Sequence, residues 1–125
     1  MKTIGTHILC ELSGCTEELL NHHVLVGKFM TEAALRAGAT IVHDFFHQFS
    51  PQGVSGVLVL AESHFSIHTW PEQRYAALDF YTCGLMQPEL ACEYMSVALG
   101  SSHRQILRVN RGICHATHYA MERAA

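Results

Sequence analysis

The chain has 125 residues, of which 49% are hydrophobic and 15% charged, with a net charge of −3 at pH 7 and a pI near 6.3. This length points to one domain spanning 1–125. The lack of any Lys/Arg cluster excludes a phosphate-neutralising surface, so no nucleic-acid partner is expected. No apolar run reaches the ~18 residues of a membrane helix, and no secretion signal opens the chain, so no membrane partner is expected either. An odd set of cysteines (Cys10, Cys15, Cys83, Cys92 and Cys114) without such a signal fits reduced thiols in the cytoplasm. A small domain leaves much of its surface exposed. With so little charge, part of that surface is expected to be covered by a partner subunit.

Thr6–Leu12, "THILCEL", reads as a strand closed by Ser-Gly. Thr16 is placed to cap a helix, with Glu17 and Glu18 in its first turn, where acids suit the helix dipole. Helical spacing continues through "FMTEAALRAG" to a stop at Gly38. Thr40–Phe49 reads as extended, and Pro51-Gln52-Gly53 as a turn. Val54–Ala61, "VSGVLVLA", has the β-branched character of a buried strand. Ser63–Thr69 alternates as a strand that Pro71 ends. Arg74–Thr82 is a further strand, closed by Cys83-Gly84. Pro88 suits a helix start, and Glu89–Leu99 keeps helical spacing to Gly100. His103–Val109 is a last strand, and the tail after Gly112 is expected to be loose. Helices flanking a run of hairpin-connected strands predict an α+β two-layer sandwich, an antiparallel sheet with helices on one face.

The chemistry concentrates in "AESHFSIHTWPE", Ala61 to Glu72. On a strand, His64, Ser66 and His68 share one face, and Ser63, Phe65 and Ile67 the other. A hairpin with polar residues on its wet face accounts for that pattern. So does a metal site, with His64 and His68 joined by Glu62, Glu72 or Cys83. Against a metal, there is no C-x-x-C pair, and His-x-x-x-His carries its signal on a helix, which Pro71 and the β-branched lead-in disfavour. A Ser-His-acid hydrolase lacks its G-x-S-x-G elbow.

"FSPQGVSGVLVLAESHFSIHTWPE" (Phe49 to Glu72), followed by "YAALDFYTCG" (Tyr75 to Gly84), closely resembles the prokaryotic S-adenosylmethionine decarboxylase proenzymes, the short, homodimeric, pyruvoyl-dependent type. The resemblance is dense from Thr6 to Gly84 and looser through "PELACEYM" and "RVNRG". It implies a zymogen that cuts itself between Glu62 and Ser63 into a β chain, 1–62, and an α chain, 63–125. Residue 63 then becomes a pyruvoyl group, and neither a metal nor pyridoxal phosphate (PLP) is required. The Ser63 hydroxyl attacks the Glu62 carbonyl through a five-membered ring, turning amide to ester. Loss of the Ser63 α-proton expels the ester by β-elimination, and water then releases ammonia to leave the ketone.

His68 matches the proton-transfer residue of processing, a task for which imidazole is the commonest side chain. Ser55 matches its hydrogen-bonding partner. In the decarboxylase, the ketone takes the substrate amine as a Schiff base and serves as electron sink. Cys83 matches the proton donor; ordinary thiols are mostly protonated at pH 7. Phe49 matches the aromatic against adenine, Trp70 is a candidate second wall, and Glu72 matches the acid on the ribose hydroxyls. The resemblance implies that the product is the aminopropyl donor for spermidine synthesis. The implied assembly is a homodimer, sheet to sheet (αββα), with active sites at the subunit interface.

Two departures bear on substrate. Arg74 stands where it can pair with Glu72, and Leu85-Met86-Gln87 follows Cys83-Gly84 where relatives often carry an acid. Two alternatives stay open: a sister pyruvoyl decarboxylase acting on ornithine or arginine, and an uncleaved, non-enzymatic binding or regulatory homologue.

Overall fold

The computed structural model describes residues 3–61, 63–113 and 122–124. In chain order the elements are β1 (Thr3–Ser13), α1 (Glu17–Leu20), α2 (His23–Arg36), β2 (Ile41–Gln48), β3 (Val54–Leu60), β4 (Ser63–Trp70), a 3-10 turn (Pro71–Gln73), β5 (Tyr75–Thr82), α3 (Pro88–Ala98), β6 (His103–Ile113) and β7 (Glu122–Ala124). The strands form one sheet in the order β2-β3-β4-β5-β1-β6-β7, with every pairing antiparallel. The helices lie over one face, which makes the two-layer α+β sandwich that the sequence predicts.

Strict alternation builds the layers. Along β5, Ala76, Leu78 and Phe80 are buried while Tyr75, Ala77, Asp79 and Tyr81 are not. Phe65 and Ile67 do the same on β4, and Ile8, Cys10 and Leu12 on β1. These side chains meet Leu20, Val26, Met30, Met95 and Leu99 from the helices in one core. Phe65 and Phe80, opposite each other across β4 and β5, pack with ring centroids 4.9 Å apart. Each such fully buried ring stabilises the fold by about 1.5–3 kcal/mol. Among the described residues, no helix covers the opposite sheet face. There, Leu9, Phe45, Val59, Trp70 and Leu107 are exposed. Among the described residues, no helix is long and apolar enough to cross a membrane.

Four sequence expectations are revised. The helix from Thr16 to Gly38 is two helices, broken at Asn21-His22. Thr16 stands at the first start, but its side chain makes no capping bond; the capping side chain is His22, whose Nδ1 accepts from Leu25 N at 3.2 Å. Arg74 is no strand residue. It takes a left-handed φ of 53° and closes the 3-10 turn by donating to Pro71 O at 3.0 Å. β6 runs to Ile113, and β7 adds a short strand from the tail expected to be loose, while 114–121 lie outside the described residues.

Candidate active site

The antiparallel pairing of β3, β4 and β5 decides where the chemistry goes. Ser63 opens β4, half-buried, opposite Leu60 on β3 and Thr82 on β5. Cys83, exposed, follows Thr82 directly, so Ser63 and Cys83 lie side by side at one end of the sheet. Thr82 Oγ1 accepts from Gly84 N at 3.0 Å and turns the chain there. Glu62 lies outside the described residues.

The other candidates gather at the opposite end. Ser55 and His68 face each other in the β3–β4 register, and Ser55 Oγ lies 2.7 Å from His68 Nδ1. A hydroxyl can donate to or accept from that nitrogen, so it holds the ring in either protonation state. A cavity of about 420 Å³ beside this pair is lined by Phe49, Gly53, Ser55, His68, Trp70 and Glu72. A second hollow of about 390 Å³ on its other side is lined mainly by Phe45, His47, Phe49, Val57 and Ser66. Both are within the size of small-molecule sites. Phe49 meets His47 edge-on with centroids 4.6 Å apart, and Trp70 stacks on Tyr75 at 5.3 Å. Tyr75 donates to Glu11 Oε1 at 2.5 Å, and burial together with this bond pushes its hydroxyl up to about 12. The expected pairing of Arg74 with Glu72 does not occur: no ion pair joins them, and Glu72 projects from the 3-10 turn as an exposed carboxylate beside the cavity.

One subunit therefore does not bring all the candidates together. Ser63 and His68 are five positions apart on a single strand, which at ~3.3 Å per residue separates them by about 16 Å. Ser63 and Cys83 form one group; Phe49, Ser55, His68, Trp70 and Glu72 form another.

A third cluster escaped the sequence reading. On the open sheet face, Asp79 accepts from His7 Nε2 at 2.6 Å, from His64 Nε2 at 3.0 Å and from the Ser66 hydroxyl. The alternation placing His64 and Ser66 on one face was legible; His7, 72 positions from Asp79, was not. Two imidazoles and a carboxylate converge closely enough to suggest a metal. The polarity argues otherwise. Arg111 Nη1 lies 3.2 Å from His7 Nδ1, and a guanidinium only donates. His7 Nδ1 is then the acceptor, and Nε2 keeps the proton it gives Asp79. Metal-bound imidazoles instead turn their far N–H to a carboxylate or carbonyl. The cluster is better described as a carboxylate hub tying β1, β4 and β5.

Burial pushes the Asp79 carboxyl up, but the bonds from Ser66, His7 and His64 outweigh it and leave the group below its ordinary value. A depressed carboxyl adds stability above the unfolded-state value of about 3.9 and loses it as pH falls through the lower folded value. Melting temperature is therefore expected to fall more steeply below about pH 4 in the wild type than in Asp79→Asn. Equal acid slopes would remove Asp79 from that role.

Comparison with known proteins places the chain in a family. The family described as S-adenosylmethionine decarboxylase matches residues 6–112. The S-adenosylmethionine decarboxylase proenzyme of Caldicellulosiruptor saccharolyticus is 51% identical over 114 residues, covering 90% of this chain and 92% of the relative. That of Pelotomaculum thermopropionicum is 47% identical over 119 residues, covering 94% of each. The crystal structure of the adenosylmethionine decarboxylase from Aquifex aeolicus superposes with a TM-score of 0.83 at 33% identity, covering 96% of this chain and all of that one. With the match spanning both groups of candidate residues and nearly the whole fold, this chain belongs to the S-adenosylmethionine decarboxylase family.

Proposed function

We propose that this protein decarboxylates S-adenosylmethionine with a pyruvoyl group made from its own Ser63, after cutting itself at Glu62/Ser63 into chains 1–62 and 63–125. It works as a homodimer, open sheet face against open sheet face. Each site takes Ser63 and Cys83 from one subunit and Phe49, Ser55, His68, Trp70 and Glu72 from the other. The observation that carries this is the placement of the two groups at opposite ends of β4. A two-fold axis across the sheet face brings one subunit's serine end to its partner's histidine end. The exposed Leu9, Phe45, Val59 and Leu107 supply the apolar surface for that contact.

The residues fit a group generated at position 63. Ser63 sits at the β3–β4 turn, so a cut there leaves β3 paired with β2 and β4 paired with β5. The new ends stay in the sheet. The group supplies a carbonyl that captures an amine and accepts the electrons left by carbon dioxide. His68 of the partner subunit moves the proton of processing, held by Ser55. Cys83 donates the proton that returns to the substrate carbon. Phe49 and Trp70 offer faces to adenine and to the sulfonium cation, a cation–π contact worth about 0.5–2 kcal/mol. Glu72 offers two oxygens to the ribose diol. A reducing cytoplasm keeps the Cys83 thiol available as an acid.

The cavity favours this substrate over ornithine or arginine. Phe49, His68 and Trp70 offer rings to it, and Glu72 is the one carboxylate among the described residues that line it. A basic side chain would need more acid than that.

Intact mass of a fresh preparation is expected to show two chains in place of one of 13.9 kDa. Carbon dioxide release is expected from S-adenosylmethionine and not from ornithine or arginine. Ser63→Ala is expected to stay whole and to lose all reactivity toward hydroxylamine. Release from a basic amino acid alone would overturn the substrate, and an uncleaved, unreactive wild type would make the protein a non-enzymatic homologue.

A further inference from the structure

Asn21 and Gln48 lie outside the substrate cavity, yet they hold the loop that carries Phe49. The break between α1 and α2 makes this possible. At the break, Asn21 Oδ1 accepts from Gln48 Nε2 at 2.8 Å and from Gly53 N at 2.9 Å. Gln48 Nε2 also donates to Gly53 O at 3.1 Å, and Gln48 Oε1 accepts from His23 N at 3.2 Å. Gly53 O in turn accepts from Phe49 N at 2.8 Å and closes the loop from Phe49 to Gly53. Gly53 takes a φ of 107°, a conformation that glycine adopts without strain, which lets its N–H and carbonyl both face the strap. One residue before the break, Leu20 O accepts from Thr69 Oγ1 at 2.8 Å, and Thr69 Oγ1 itself accepts from Val54 N at 2.9 Å. Thr69 follows His68, and Val54 precedes Ser55. The break thus reaches, through the Thr69 hydroxyl, the neighbours of His68 and Ser55.

We infer that Asn21 and Gln48 are positioning residues for substrate binding: a side-chain strap that fixes Phe49 against the cavity through Gly53. This inference rests on the assignment of Phe49 to the substrate site. The strap has a direction. Asn21 is used only as an acceptor, so a carboxylate can replace it. Gln48 is used as a donor to two oxygens, so a carboxylate there faces two acceptors and loses both bonds. Simple loss of packing predicts no such asymmetry. Ser55 and His68 are held by the β3–β4 ladder itself, so processing does not depend on the strap.

The test uses the full chain, with cleavage, hydroxylamine reactivity, kcat and KM for S-adenosylmethionine, and competition by adenosine measured on each variant. Asn21→Ala is expected to raise KM and weaken adenosine binding about tenfold, the loss that one or two such bonds produce. Cleavage, hydroxylamine reactivity and kcat are expected to stay within twofold. Asn21→Asp is expected to keep wild-type KM, and Gln48→Glu to raise it at least as much as Asn21→Ala. Equal effects of Asn21→Ala and Asn21→Asp, or a fall in kcat at constant KM, would overturn the strap. Phe49→Ala provides the control. If it leaves KM unchanged, the assignment of the substrate site fails; if it raises KM while Asn21→Ala does not, only the strap fails.

Discussion

Mixing Ser63→Ala chains with His68→Ala chains is expected to restore both self-cleavage and decarboxylation, although either variant alone is inactive. In the homodimer of Ser63→Ala, no site has a residue able to become the ketone. In that of His68→Ala, no site has the imidazole, and processing stalls at or after the ester. A mixed dimer has one site with Ser63 from one chain and His68 from the other. Random assortment makes about half the dimers mixed, each with one of its two sites intact, so recovery of about a quarter of wild-type activity is expected. The measurement is cleavage by intact mass and carbon dioxide release after co-refolding. The outcome follows from a length: about 16 Å of extended strand separates the two residues within one chain, and no side chain spans that. Complete absence of complementation, with mixed dimers shown to form, would place both residues in one subunit's site and overturn the shared-site assembly.

Cys83→Ala is expected to cleave, fully or in part, yet to lose turnover by about 10²- to 10⁴-fold, the usual loss for a positioned general acid. Cys83 follows Thr82, which pairs with Ser63, so it lies beside residue 63 and away from the Ser55–His68 pair to which the proposal assigns processing. Removal of the acid leaves the reprotonation step to water or to a wrong carbon. Protonation at the carbon of residue 63 transfers the substrate's amino group there. The product then leaves as an aldehyde and residue 63 ends as alanine. Mass analysis of the α chain after exposure to substrate is expected to show that conversion, rising with substrate turned over. Full activity of the variant would exclude Cys83 as the donor.

The two outcomes test different links. Complementation tests which subunits build a site; Cys83→Ala tests what one residue does there. The carboxylate hub on Asp79 and the Asn21–Gln48 strap support these groups from outside. The first ties the strand that begins at Ser63 to β1 and β5. The second holds the Phe49 loop to the helix break.

Local patterns made most of the architecture legible. The alternation of Tyr75 to Thr82, the β-branched run from Val54, and the Pro71 and Pro88 punctuation each act within a few residues, and the strands and helices stand close to where those signals put them. The break at Asn21 was not legible. Helical spacing continues across it, and what stops the helix is a set of bonds to Gln48, Gly53 and Thr69, far away in sequence. Arg74 was misread for the same reason: its left-handed turn is held in part by its carbonyl accepting from Cys15 N at 3.0 Å, across the sheet.

The order of residues alone determined the reactive inventory: a serine, a histidine, a cysteine and their aromatic and acidic neighbours in a dense, specific motif. It also determined the α+β class, because periodicity and turn chemistry are short-range. Only the tertiary structure decided how that inventory divides, since strand register is a long-range outcome of packing one sheet face against helices. Pairing Ser63 with Thr82 and His68 with Ser55 sends them to opposite ends of the sheet. Neighbours in the motif thereby become residues that one folded subunit holds about 16 Å apart.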